Sequence, residues 1–117
     1  MTPCGREPAL TRVKRELAAG ALATTAVTAF ELLSGVDTDR VRRKVEGLLA
    51  PLAILPLDEA AGRAAAQVRL DLEAEGTPIG MADYLIAGIC LSRSAGLLTR
   101  NRAHFARVKG LTLAEVA

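Results

Sequence analysis

Glu31 and Asp83 are acidic residues set in unusually apolar surroundings. Glu31 interrupts the run Ala26-Val27-Thr28-Ala29-Phe30-Glu31-Leu32-Leu33, and Asp83 directly precedes Tyr84-Leu85-Ile86-Ala87-Gly88-Ile89-Cys90-Leu91. A charge in such a stretch must find compensating partners, either backbone donors or a ligand. Both structural readings are open: Thr28-x-x-Glu31 has the form of a capping box, and Asp83 in the first turn of a helix would complement its dipole. The functional reading brings the two carboxylates together around one cation. With Asn101 of the segment Thr99-Arg100-Asn101, they form a set of hard oxygen donors suited to Mg2+ or Mn2+, with positions open for water and a phosphate. The corresponding chemistry is metal-assisted hydrolysis of a phosphodiester.

Other chemistries lack support. The sequence holds no GxGxxG, P-loop, GxSxG or HExxH pattern, so nucleotide-binding folds, serine hydrolases and zincins are not indicated. Cys4 and Cys90 form no CxxC pair and stand apart from the single histidine, His104, which excludes a structural zinc site. Two free thiols in a reducing compartment are expected. His104 is not required as a metal ligand; an alternative role is an exposed polar residue in a short turn beside a buried Phe105.

The carboxylates can meet only if the elements that carry them share an edge. Pro8 starts a helix with Leu10, Val13 and Leu17 on one face, and Gly20 ends it. Ala21–Thr25 is extended, Thr25 caps a helix over Ala26–Ser34, and Gly35 closes that helix. Asp37 or Thr38 caps another helix through Leu49, with Val41, Val45 and Leu48 inward. Leu52–Leu55 is short enough for a buried strand, although periodicity alone does not separate it from a core helix. A long helix from Asp58 to about Glu75 shows a small-residue face of Ala61, Ala64, Ala65 and Val68, and Gly76–Gly80 forms a loop. Met81–Ser94 is apolar nearly all round, so it should be the most buried helix. Gly96–Thr99 is a further strand and Leu111–Leu113 a short last one.

Strands separated by helices of this length imply an α/β fold with a mostly parallel sheet covered by helices, because parallel strands need long crossovers. In such sheets the functional crevice lies outside the carboxyl ends of the strands, the edge where Glu31, Asp83 and Asn101 all fall. Thr28 and Thr99 stand there too, as caps or as auxiliary groups orienting water or phosphate.

The chain has 117 residues, half of them hydrophobic and 3% aromatic, which bounds it to one domain and disfavours an all-β sandwich. Its longest uncharged stretch, Leu17 to Phe30, contains Gly20 and three threonines and is too short to cross a membrane. Met1–Glu7 has no signal-peptide pattern, so a cytoplasmic location is expected. The formal net charge is only +2, yet no Asp or Glu occurs from Tyr84 through Ala114, where Arg93, Arg100, Arg102, Arg107 and Lys109 lie. That segment is either a solvated basic face or a track for phosphates.

Two blocks resemble the PIN domains of the VapC type, the toxin halves of bacterial toxin–antitoxin pairs. One is Thr24-Thr25-Ala26-Val27-Thr28-Ala29-Phe30-Glu31-Leu32-Leu33-Ser34-Gly35. The other is Ile79-Gly80-Met81-Ala82-Asp83-Tyr84-Leu85-Ile86-Ala87, continued by Leu97-Leu98-Thr99-Arg100-Asn101-Arg102-Ala103-His104-Phe105 and Val108-Lys109-Gly110-Leu111. The resemblance spans nearly the whole chain. It implies a single PIN-like domain over residues 1–117, with helices on both faces of the sheet. It also implies Glu31 and Asp83 as catalytic metal ligands, Asn101 as an auxiliary ligand, and Mg2+ (or Mn2+) as cofactor. Arg100, Arg102, His104 and Arg107 would lie near the RNA. The expected activity is endonucleolytic cleavage of tRNA or rRNA by a homodimer that a cognate antitoxin inhibits.

The resemblance departs at the start. The family opens with a strand ending in an Asp-containing turn, whereas here no Asp precedes Asp37. The expectation is a PIN-like fold without its first, central strand and with a gap in its sheet. The alternative function is therefore a catalytically inert truncated domain that binds RNA or an antitoxin without cutting.

Overall fold

Thr25 ends a strand and starts a helix within one residue. Its backbone is extended, at φ −103° and ψ 157°, and its Oγ1 accepts a hydrogen bond from Thr28 N at 3.0 Å, so one of the helix's four orphan N–H groups is satisfied. This joins β1 (Ala23–Thr25) to α1 (Ala26–Ser34). The computed structural model describes residues 23–97 and 102–113; the helix expected from Pro8 and the strand residues Leu98 and Thr99 lie outside the described residues. After α1 come α2 (Asp39–Leu49), β2 (Ala53–Leu55), α3 (Glu59–Ala74), α4 (Met81–Ser92) and the short α5 (Arg102–Phe105).

The strand pairing is parallel throughout the described residues. β1 lies beside β2 with Ala23 opposite Ala53, Thr24 opposite Ile54 and Thr25 opposite Leu55. Leu97 and Leu113 form a separate parallel bridge, with Leu97 N donating to Thr112 O at 2.8 Å. Parallel pairs linked through helices are the α/β arrangement expected from the sequence. Among the described residues no ladder joins the two pieces.

Two expectations need correction. In α2 it is Leu49 that is buried, while Val41 is exposed and Leu48 is 64% exposed. The helix packs mainly on α1, so burial follows that one contact and not the apolar stripe of the helix as a whole. β2 is likewise not a buried strand: Ala53 and Ile54 are exposed and Leu55 is only half-buried. Its apolar run reflects pairing with β1 on one side and little cover over its face.

The core is a hairpin of α3 and α4. Asp58 caps α3 through Oδ1, which accepts from Ala61 N at 2.9 Å, and its Oδ2 accepts from Arg93 Nη2 at 3.2 Å, tying the start of α3 to the end of α4. At the other end Gly76, with φ +73°, terminates α3 while Thr77 N reaches back to Leu72 O at 2.9 Å. That six-to-one closure needs a left-handed residue, which glycine adopts without steric cost. As expected, α4 is the most buried helix: Tyr84, Ile86, Ala87, Gly88, Ile89 and Cys90 are all buried. Burial raises the Cys90 thiol above its ordinary pKa, which keeps it protonated and inert. It is a free cysteine, and Cys4 lies outside the described residues. Among the described residues no helix is long and apolar enough to cross a membrane.

The two helices meet at Gly88. A Cβ added there would stand 2.5 Å from Ala61 O, 2.6 Å from Ala65 N and 2.7 Å from Ala65 Cβ, so the contact is backbone against backbone with no room for a methyl group. Replacing Gly88 with alanine forces the helices apart against a packed core, which outweighs the intrinsic helix-propensity gain of about 1 kcal/mol. Gly88→Ala is expected to destabilise the protein by about 1–3 kcal/mol, read as a lower urea midpoint in equilibrium unfolding.

Candidate functional site

The backbone of the loop that leads into α4 is held by two side chains, from Tyr84 and Arg107. Tyr84 is buried and its hydroxyl accepts a hydrogen bond from Ile79 N at 3.1 Å, so the side chain of the first turn folds back over the loop. Arg107 Nη1 donates to Pro78 O at 3.1 Å. Gly80 is the N-cap and contributes no side-chain cap. Asp83 therefore enters from a fixed loop at the first turn of α4, where the helix dipole favours a negative charge.

Asp83 is only partly exposed and lies beside His104, with Nδ1 3.4 Å from Oδ2. The imidazole is supplied by α5, which Phe105 and Val108, both buried, anchor to the core. His104 is half-buried and in contact with Asp83, not the exposed turn residue of the alternative reading. The separation of 21 positions between the two leaves no local sequence signal for this pairing.

Glu31 is exposed on α1. It borders an open cleft of about 530 Å3, whose other walls include Phe30, Leu57, Met81, Ala82 and Leu85. The cleft thus runs between α1 and the first turns of α4, and Glu31 faces the pair of residues immediately before Asp83. The capping reading of Glu31 fails, because Thr25 and not Thr28 is the N-cap of α1. Thr28 is half-buried, with its Oγ1 3.0 Å from Thr25 Oγ1. Arg102 is exposed at the start of α5. Arg107, besides holding Pro78, lines a small pocket with Asp71, Glu75 and Lys109. Thr99, Arg100 and Asn101 lie outside the described residues.

A divalent ion of the Mg2+ kind takes oxygen ligands, often one or two carboxylates while it keeps several waters. Asp83 and Glu31 fit that demand by chemistry, one on the first turn of α4 and the other on α1, bordering the cleft that Met81 and Ala82 also line. Among the described residues no three His, Cys, Asp or Glu side chains are grouped to hold a metal, so they contain no closed cage of the zinc kind. Sequence reasoning missed the apolar rim: Phe30 is 70% exposed and Met81 56%. Phe30 is the one aromatic in its run, adjacent to Glu31, and an aromatic flanking a charge in an amphipathic helix was the available signal.

Comparison with known proteins gives a consistent result. The model of the PIN domain family matches residues 4–111. The chain is 32% identical over 109 residues to the tRNA(fMet)-specific endonuclease VapC of Shigella flexneri, covering 90% of this chain and 83% of that one. Among solved structures it resembles the DNA-bound VapBC of Salmonella typhimurium, with a TM-score of 0.79 and 27% identity over 93% of this chain and 86% of that one. VapBC-1 of nontypeable Haemophilus influenzae follows at TM-score 0.75 and 28% identity, over 80% and 73% of the two chains.

The fixed loop before Asp83 supplies a test of its own. Tyr84→Phe removes the acceptor of a buried amide, and leaving that donor unsatisfied costs about 1–3 kcal/mol. The expected result is a lower unfolding midpoint together with faster hydrogen exchange at the Ile79 amide.

Proposed function

This chain belongs to the PIN domain family, and we propose that it is a toxin-type endoribonuclease of the VapC kind that hydrolyses RNA phosphodiester bonds with a divalent metal, Mg2+ or Mn2+. The observation that carries the reading is the setting of Asp83: a partly exposed carboxylate in the first turn of the most buried helix, directly after Met81 and Ala82, which line the cleft that Glu31 borders. Likeness to a tRNA endonuclease over 90% of the chain supports the same assignment and favours tRNA, with rRNA as the related class.

In this reading Asp83 and Glu31 are the catalytic ligands and Asn101 is auxiliary. The chemistry that such an ion supplies when bound is neutralisation of charge at the scissile phosphate and acidification of a water. The chain's own residues do the positioning. Asp83 offers oxygen from a helix N-terminus fixed by Tyr84 and Arg107, and Glu31 offers it across the cleft from α1. Arg100, Arg102, His104 and Arg107 belong to the acid-free segment that would meet RNA phosphates, while Thr28 and Thr99 would act as auxiliary groups. Residues 1–117 act as one PIN-like domain in the cytoplasm, paired as a homodimer and inhibited by a cognate antitoxin of the kind found in the VapBC complexes.

Cleavage of tRNA by the purified chain should require Mg2+, and Asp83→Asn should lower the rate by about a hundredfold or more, since a lost ligand removes several kcal/mol of charge stabilisation. Cleavage that is indifferent to this substitution would sink the metal-site assignment. RNA binding with no cleavage under any divalent metal would instead identify an inert binding module.

The basic segment gives an independent measurement. Reversing Arg100 and Arg102 to Glu should weaken RNA association and reduce the slope of log K against log salt by roughly one for each phosphate contact removed. An unchanged affinity and slope would assign both residues to a solvated face.

A further inference from the structure

We propose that His104 is a positioning residue for Asp83, engaging one carboxylate oxygen so that the other is presented in a fixed direction to a divalent cation. This inference rests on the assignment of Asp83 as a metal ligand and adds the residue that orients it.

The contact is specific about atoms: Nδ1 of His104 faces Oδ2 of Asp83 at 3.4 Å. An ionised carboxylate only accepts hydrogen bonds, so the ring must carry its proton on Nδ1 when it engages Asp83. That requirement is met by a neutral imidazole and needs no change of protonation. The distance is long for a hydrogen bond, and such contacts characteristically tighten once a ligand draws the carboxylate into place.

The surrounding structure holds the ring where this role requires. His104 sits in α5 next to Phe105, which is 3% exposed, and Val108, which is 5% exposed, closes the following turn against the core. Ala106 N donates to Arg102 O at 2.8 Å, and Arg107 ties the same turn to Pro78, in the loop before α4. The segment that carries the donor is therefore fastened through Arg107 to the loop that leads to the carboxylate. Asp83 keeps part of its surface open, with its side chain 23% exposed against 42% for His104, so the contact orients the carboxylate without sealing it. Mg2+-like ions demand near-octahedral geometry, and a carboxylate whose oxygens are directed by its neighbours meets that demand more of the time. Partners that hydrogen-bond a ligating carboxylate are worth about ten- to a hundredfold in metal affinity.

The test measures Mn2+ binding to the full chain by electron paramagnetic resonance, without RNA, so that the readout is not activity. Wild type should bind Mn2+ and Asp83→Asn should lose it. His104→Ala should raise the Kd for Mn2+ by about ten- to a hundredfold, and His104→Asn, whose amide nitrogen can reach the same oxygen, should recover most of the affinity. The Tm of His104→Ala, measured in chelator, should equal that of wild type. Unchanged Mn2+ affinity in His104→Ala, with Asp83→Asn still defective, overturns the role of His104 and leaves the proposed function standing. Absence of Mn2+ binding by wild type overturns both. A loss shared by the Ala and Asn variants, with a lowered Tm in each, makes His104 merely structural and also overturns the proposal.

Discussion

The close approach of α3 and α4 at Gly88 sets the position of everything else in the site. With a hydrogen in place of a side chain, the backbone of α4 lies against Ala61 and Ala65, and the small face of α3 permits that approach along its length. The axis of α4 is thereby fixed to within the tolerance of a backbone contact, which is tighter than interdigitated side chains allow. Asp83 is on the first turn of that axis, and its loop is fastened by Tyr84 and Arg107. The carboxylate inherits its placement from a packing contact well over a turn further along the helix.

Polarity in this region follows from the same constraint. A charged side chain cannot lie within the interior of α4, which is buried over most of its circumference, so charge is confined to its exposed end. There it meets the basic, acid-free part of the chain on one side and the apolar cleft of α1 on the other. Glu31 and Phe30 both stand exposed on α1, one supplying charge and the other contact surface. A cleft with apolar walls raises the strength of any electrostatic interaction made at its mouth, because less water screens it.

How much of this was legible in the sequence depends on how local the cause is. Thr25 as a cap, Gly76 as a terminator and the small face of α3 are decided within a few residues, and the structure bears them out. The burial of α4 was legible because apolar residues cover every side of it. Leu48 and Ile54 misled, since their burial depends on which neighbour covers them, and no periodicity encodes that. The two acidic residues could be singled out from their apolar surroundings, and the parallel α/β fold supplied a rule for the edge at which to expect them. The approach of His104 to Asp83 could not be read, because it requires the path of the chain through the bridge at Leu97 and Leu113.

The hairpin has a kinetic side as well. Contacts between α3 and α4 close a short loop and cost little chain entropy, whereas pairing β1 with β2 must wait for a full crossover through α1 and α2. The segment that carries Asp83 is thus the natural first piece to assemble as the chain collapses, and the sheet edge that carries Glu31 joins it afterwards. Damage to the Gly88 contact would accordingly slow folding as well as loosen the folded state, whereas changes at the rim of the cleft would chiefly speed unfolding.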